Sequence, residues 1–202
     1  PGAAVLADFG LDGFHQSGWI HVDMTEVEFT SGGRFGPDLN VFHEGLQQPF
    51  AIAKNVTLPV GSYDYAVLGL DWSTNASAPL SITLRGDYGP FYNGSRSSTS
   101  STLTYRRGAS LSASLVANYN DVRLAQGGFV RALYGLRLGY FFSPRVFLQT
   151  LTQYNNEARI WTANARFGWL NTAGTGLYVV FNDGEEADGV FSWIRPQSRA
   201  LF

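Results

Sequence analysis

Between Gly128 and Leu170 the chain alternates, and alternation this long leaves few folds open. In Val130–Tyr140 the even positions Val130, Ala132, Tyr134, Leu136, Leu138 and Tyr140 are apolar, and Arg131, Gly135, Arg137 and Gly139 stand between them. Successive side chains of a strand leave the backbone on opposite faces, so this is a strand with one apolar face and one polar or small face. A tight turn at Ser143-Pro144-Arg145 leads into a second alternating run, Val146–Tyr154. After a polar loop at Asn155–Ala158, Arg159–Leu170 puts Trp161, Ala163, Ala165, Phe167 and Trp169 on one face. Thr162, Asn164 and Arg166 take the other. Three long strands with short turns make an antiparallel meander. Its apolar face has to meet a protein core or a lipid bilayer.

The rest of the chain repeats the pattern. Ala3–Leu11 alternates, with Asp8 opposite the apolar set, and Phe14–Gly18 reads as a turn. Trp19–Thr30 changes phase between Met24 and Val27, which a β-bulge near Thr25 would explain. Ser31–Asp38 reads as a turn, Leu39–Glu44 as a short strand and Gly45–Gly61 as a long loop. Strands are expected over Ser62–Ser73, Pro79–Tyr88, Ser98–Arg106, Ala109–Tyr119 and Gly176–Phe181. Loops are expected at Gly89–Ser97, Asn120–Gly127 and Asn182–Gly189, and Val190–Phe202 is poorly patterned. No segment keeps a helical period. Short connections near Ala76, Arg107, Pro144 and Ala173 alternate with longer or more polar ones near Tyr92, Arg123, Asn156 and Glu186. Short turns on one rim and longer loops on the other are the layout of an outer-membrane barrel, and a soluble up-and-down barrel can share it.

Strand length separates the two solvents. The alternating runs are longer than the five or six residues usual in soluble sheets and match the ~9–11 a bilayer requires. Tyr88, Tyr105, Tyr119, Tyr140, Phe141, Phe142, Tyr154 and Trp169 fall at strand ends, where aromatic girdles sit in such barrels. The mean hydropathy of -0.07 and the absence of a long apolar run rule out a transmembrane helix but not a barrel, whose alternating strands average to neutral. The chain has no cysteine, so disulfides, thiolate-bound zinc and cysteine catalysis are excluded. No leader is visible at the N-terminus, which is expected of a mature form or a fragment.

Charge is unevenly distributed. Residues 1–84 carry nine acids against Arg34 and Lys54, whereas residues 85–166 carry ten arginines against Asp87, Asp121 and Glu157. Arg85, Arg131, Arg137 and Arg166 fall on the polar faces of their strands, and Asp8, Asp23 and Asp64 are expected to face the same way from the N-terminal half. In a lipid barrel that face is the lumen, because an Arg on the lipid side near the midplane costs ~2–4 kcal/mol. The expected lumen has an acidic wall and a basic wall, leaving a polarised channel or one closed by ion pairs. His21-Val22-Asp23 places a His and an Asp on one strand face. No Ser lies in a nucleophile-elbow context, so the chain is not expected to be an enzyme. The His and carboxylate residues are too scattered to suggest a metal, and no cofactor is expected. In the loops, Phe91, Tyr92 and Trp193 are candidate contact residues for sugars or a protein, or simply loop packing.

Several stretches carry a family resemblance. They are Gln48-Pro49-Phe50-Ala51-Ile52, Leu58-Pro59-Val60-Gly61-Ser62-Tyr63 and Gly86-Asp87-Tyr88-Gly89-Pro90-Phe91-Tyr92-Asn93-Gly94. They continue in Tyr119-Asn120-Asp121-Val122, Phe142-Ser143-Pro144-Arg145-Val146, Gln153-Tyr154-Asn155-Asn156 and Leu177-Tyr178-Val179-Val180-Phe181-Asn182. Together these resemble the C-terminal part of a bacterial family of unknown function. Its members look like outer-membrane β-barrels and often carry an N-terminal family-9-like carbohydrate-binding domain. The resemblance runs from about Leu39 to Phe202 and implies a barrel, with no catalytic residues to carry over. The carbohydrate-binding domain is absent from this sequence. The segment resembling the opening of the family's final strand, Arg199-Ala200-Leu201-Phe202, ends it.

The sequence therefore predicts an all-β, antiparallel up-and-down transmembrane β-barrel of about twelve strands, in one domain over residues 1–202. This barrel is complete in itself or the C-terminal part of a larger one. The expected setting is the bacterial outer membrane, with lipid around the barrel. The expected role is porin-like passage of small polar solutes, or anchoring of a protein partner or a missing N-terminal domain. The alternative is a structural or binding barrel with no open pore, whose long loops contact glycans or a protein partner. No nucleic acid is expected.

Overall fold

The computed structural model describes residues 2–9, 15–171, 175–186 and 196–201. None of these residues is helical. The strands are β1 (Ala3–Phe9), β2 (His15–Asp23), β3 (Val27–Glu28), β4 (Arg34–Leu46), β5 (Phe50–Ala53), β6 (Val56–Leu58), β7 (Gly61–Ser73) and β8 (Leu80–Phe91). They continue as β9 (Gly94–Arg107), β10 (Leu111–Leu124), β11 (Gly127–Ser143), β12 (Val146–Asn155), β13 (Ile160–Leu170), β14 (Gly176–Glu186) and β15 (Pro196–Leu201).

Apart from the small β5–β6 hairpin, these strands form one antiparallel sheet. Its order is β1-β2-β4-β7-β8-β9-β10-β11-β12-β13-β14-β15, with β3 beside β4. The fold is thus an all-β, up-and-down meander of about the expected strand number. Among the described residues no ladder joins β1 to β15, so the sheet is an open path. The chain divides into two compact units, one made of Pro1–Asn75, Thr83–Ser100 and Tyr119–Val130. The other comprises Ala76–Ile82, Ser101–Asn118 and Arg131–Phe202.

The opening meander forms close to its expected limits. Ladders run from Leu133↔Asn155 to Ser143↔Val146 and from Val146↔Trp169 to Asn155↔Ile160. Its turns are built by side chains. The Ser143 hydroxyl accepts the Arg145 and Val146 amides at 3.3 and 3.1 Å. Asn155 Oδ1 accepts those of Glu157 and Ala158 at 2.9 and 3.2 Å. Such local bonds let Ser and Asn compete with the ladder and end a strand.

Several expected loops are strand instead. Gly89–Ser97 shrinks to a two-residue turn at Tyr92 and Asn93, between β8 and β9. Asn120–Gly127 shrinks to Ala125 and Gln126, between β10 and β11. The expected acidic loop starting at Asn182 lies in β14 as far as Glu186, paired with β13. The expected short strand at Leu39 extends over the whole of β4, and residues 47–60 include the β5–β6 hairpin. The expected turn at Phe14–Gly18 is partly replaced by β2, whose Ser17 and Gly18 pair with β1 and β4. The expected bulge near Thr25 is a wider break, because β2 stops at Asp23 and β3 resumes at Val27. In β14 the ladder continues through Asn182–Glu186, where the residues are polar or Gly and no apolar alternation marks it.

The two faces of the sheet invert the arrangement of a water-soluble β-sandwich. In β7, Tyr65, Val67 and Gly69 are buried, and Leu68, Leu70 and Trp72 on the opposite parity are exposed. In β4 the buried residues are Asp38 and Asn40. In β11, Tyr134, Leu136, Leu138 and Tyr140 are all exposed, and Gly135 is buried. Asp38 is 3% exposed, whereas Leu136 is 41% exposed. Among the described residues the buried apolar set is only Val56, Leu58, Tyr65, Val67, Val122 and Ala132.

Close backbone approach explains one glycine. A Cβ on Gly94, where β9 begins, would collide with the Arg123 carbonyl of β10, whereas a Cβ on Gly86 of β8 would meet nothing within 4 Å. Gly94→Ala should therefore cost about 1–3 kcal/mol and lower the denaturant midpoint in detergent, while Gly86→Ala leaves it near wild type. Equal midpoints for the two would contradict this packing.

Candidate functional site

In the first unit the buried face of β4, β7 and β8 holds a charge network. Asp38, Gly69 and Asp87 pair in one row across the three strands, and Asp71 pairs with Arg85 in the next. Side chains of one parity share a face, so Arg85 reaches back over Gly69 to Asp38. Its Nη1 and Nη2 donate to the two Asp38 carboxylate oxygens at 2.9 and 3.2 Å, a bidentate fork. Nη2 also donates to Asp87 at 2.8 Å and Nη1 to Asp71. The Ser98 hydroxyl donates to Asp87 at 3.0 Å. Gly69 is what makes room, since a Cβ there would overlap the Asp38 carboxylate and lie 2.7 Å from Arg85 Nη2. One guanidinium faces three carboxylates, so the cluster keeps a net negative charge.

The network continues onto β2. Asn40 Nδ2 donates to Asp38, and Asn40 Oδ1 accepts from Trp19 Nε1 at 3.0 Å. His21 Nδ1 lies 2.8 Å from the same Asn40 oxygen, and its Nε2 lies 3.0 Å from Asp23. The expected His21–Asp23 pair therefore forms. Both ring nitrogens are engaged by oxygens, leaving neither to take a proton from a nucleophile. Beside this network lies a cavity of about 310 Å³ lined by Asp23, Glu26, Arg34, Asp38 and Asp71 among others.

Further along the same unit the buried face becomes aromatic. Phe42 and Tyr65 stack at 5.3 Å, Tyr65 meets Phe91 at 5.7 Å, and Tyr92 lies 5.2 Å from Tyr63 and 4.8 Å from Phe91. The Arg96 guanidinium sits 4.5 Å above the Phe91 ring, and its buried Nε has no hydrogen-bond partner. Burial, and next the Glu44 charge, push the Tyr92 hydroxyl above the ordinary tyrosine range. Tyr92 occupies its turn at a φ of 52°.

The second unit carries a different polar face. Arg137, Gln149, Asn164 and Arg166 line a cavity of about 520 Å³ together with Ser112 and Ser114. The Arg166 guanidinium stacks 4.6 Å over the Tyr178 ring. Arg131 instead forms an ion pair with Glu157, Nε to Oε2, at 3.0 Å. Neither Arg137 nor Arg166 has a carboxylate within 4.0 Å among the described residues.

The residues expected on the polar face are mostly found there. Arg85, Arg137 and Arg166 share the parity of buried or polar neighbours on their strands. Arg131 has the parity of Arg137. Asp8 pairs with Ser17, which donates to it at 3.2 Å, and Asp23 shares the face of His21. Asp64 is a correction. It has the parity of Leu68 and Leu70, pairs with His43 and lies 2.7 Å from that imidazole, so it stands on the exposed apolar face. The slip arises because β7 carries an apolar residue at nearly every position, so its sequence does not say which parity faces inward. Phe91 and Tyr92 are half-buried in the aromatic cluster and pack their own hairpin, and Trp193 lies outside the described residues. Sequence reasoning missed Asp38, Asn40, Asp71 and Arg96. For Asp38 and Asn40 the signal was an acid and an amide two positions apart in β4, on one face; nothing local marked Asp71 or Arg96.

Comparison with protein-family models, with curated proteins and with solved structures finds no match.

The network makes a testable demand on stability. Removing Arg85 would leave Asp38 buried without its cation, at a cost of about 3 kcal/mol. Arg85→Gln should therefore lower the unfolding midpoint markedly. Gly69→Ala, which removes no charge, should lower it too, by displacing the Asp38 carboxylate. A wild-type midpoint for Gly69→Ala would mean that the fork over Gly69 does not form.

Proposed function

We propose that this chain is an integral protein of the bacterial outer membrane. Its sheet closes into an up-and-down barrel, with the exposed apolar face toward lipid and the polar face toward a lumen that passes small polar solutes. The observation that carries the reading is the inversion of the faces, with Leu68, Leu70, Tyr134, Leu136 and Leu138 exposed and Asp38 and Asn40 buried. In water such an apolar face would be an aggregation surface. In a bilayer each large side chain gains about 1.5–3 kcal/mol on leaving water.

Strand length supports the same reading, because β7 to β14 run from 10 to 17 residues, and a tilted crossing needs ~9–11. The strand ends carry Tyr88, Tyr105, Tyr119, Tyr140, Phe142 and Trp169 on the exposed side, as interface girdles do. Hydrocarbon tolerates no open sheet edge, so closure of the sheet is a requirement of this reading.

A second reading, a barrel without an open pore that binds a glycan or a protein at one rim, has its own support. Tyr63, Tyr65, Phe91 and Tyr92 fill one end of the buried face, and the β5–β6 hairpin carries the fully buried Leu58. Neither reading gives the chain an enzymatic role.

Extraction and gel mobility test the shared claim. The protein should require detergent and should migrate differently before and after boiling, whereas a freely soluble monomer with one mobility would refute it. Planar bilayers then separate the two readings. Discrete conductance steps support passage, and a correctly inserted protein with no conductance leaves the closed, binding form.

A further inference from the structure

We infer that the cavity between Arg137 and Arg166 binds small doubly charged oxyanions of the phosphate type. Arg166 pairs with Gln149 across the β12–β13 ladder, and Gly139 pairs with Gln149 across the β11–β12 ladder. Arg137 lies two residues before Gly139 on the same face. The two arginines thus lie on either side of β12, two strand spacings across and two residues along, or about 12 Å apart at the backbone. Their side chains can converge from either side on the space above it. Both line the same cavity of about 520 Å³.

Among the described residues no carboxylate lies within 4.0 Å of either guanidinium. Between residues 132 and 182 the sequence holds a single acid, Glu157, and Glu157 is paired with Arg131. Asp183 pairs with Ala163 and so has the parity of Trp161, opposite to that of Arg166. This differs from Arg85, which three carboxylates surround. Stacking on Tyr178 holds the Arg166 guanidinium in place without neutralising it. Two guanidiniums sharing one cavity repel, and an anion with several acceptor oxygens relieves that repulsion while taking forked hydrogen bonds from each. Gln149, Ser112 and Ser114 add neutral donors around the same space.

Gly139 keeps the space open. A Cβ there would meet only the Phe141 ring at 3.7 Å and the Ser112 carbonyl at 3.9 Å, which is ordinary contact. A leucine at this position fits the backbone and fills the cavity without removing either charge.

The inference rests on the proposed barrel only in that the polar face is taken as open to solute, and binding can be read without conduction. Inorganic phosphate is titrated by calorimetry into the folded protein in detergent, at constant ionic strength, with sodium acetate as the singly charged comparison. Wild type should show saturable phosphate binding that exceeds acetate binding. The double variant R137Q/R166Q and the filled variant Gly139→Leu should each weaken it about ten-fold or more. Arg145→Gln, in the turn between β11 and β12, should leave it unchanged. Heat-modifiable mobility of every variant separates loss of the site from loss of the barrel. No saturable binding to folded wild type, or wild-type binding by folded R137Q/R166Q, would overturn the inference and leave the barrel reading standing.

Discussion

A β-ladder offers each residue one of two faces, and in β4, β7 and β8 the less exposed face carries the charge network as well as an aromatic cluster. That constraint organises the rest of the structure. Once Asp38 and Asn40 of β4 are buried, their polar atoms must be satisfied by neighbouring strands, because an unpartnered buried carboxylate costs several kcal/mol. Arg85 from β8 and Trp19 and His21 from β2 satisfy them. The sheet is therefore stapled sideways by polar side chains as well as by its backbone, and Gly69 is small because the staple passes over it.

The two units carry opposite solutions to charge. Around Arg85 the carboxylates outnumber the cation, and the cluster is self-contained. Around Arg137 and Arg166 no carboxylate lies within 4.0 Å among the described residues, which is the basis for the proposed anion site. The exposed face is held to a simpler rule, with Leu, Val and aromatic residues through the strand centres and tyrosine or tryptophan toward the ends. The His43–Asp64 pair is a polar exception on that face. It lies near the ends of β4 and β7, where the ladder approaches its last pair, Leu46↔Gly61. There a charged group would meet headgroups and water rather than acyl chains.

How much of this was legible in the sequence depended on whether one face was apolar. From β11 to β13, Leu136 and Leu138 alternate with Arg137 and Gly139, and the strands and turns could be read almost to the residue. In β4, Pro37 and Asp38 look like a turn and Leu39–Glu44 like a short strand, yet Arg34–Leu46 forms a full ladder, because its side chains answer to partners far away in sequence. Asp38 bonds Arg85, 47 positions on, and nothing local announces the pair. The ends of β8, β9, β10 and β14 read as loops for a related reason. There Gly, Pro, Ser, Asn and acidic residues interrupt the apolar alternation, while the strands continue regardless. Arg137 and Arg166 were recognisable as polar-face residues from parity alone. That they share one cavity without an acid needed the β11–β12–β13 register.

The central claim is that the exposed apolar face meets acyl chains. Fluorescence of single-tryptophan variants in bilayers of lipid brominated along the acyl chain tests it most directly. Trp161 and Trp169 lie on the exposed face, whereas Trp19 donates to Asn40 on the other. The account predicts strong quenching of the variants that keep only Trp161 or only Trp169, and little quenching of the one that keeps only Trp19. Equal quenching of all three, or none of the first two in a membrane-inserted protein, would contradict it.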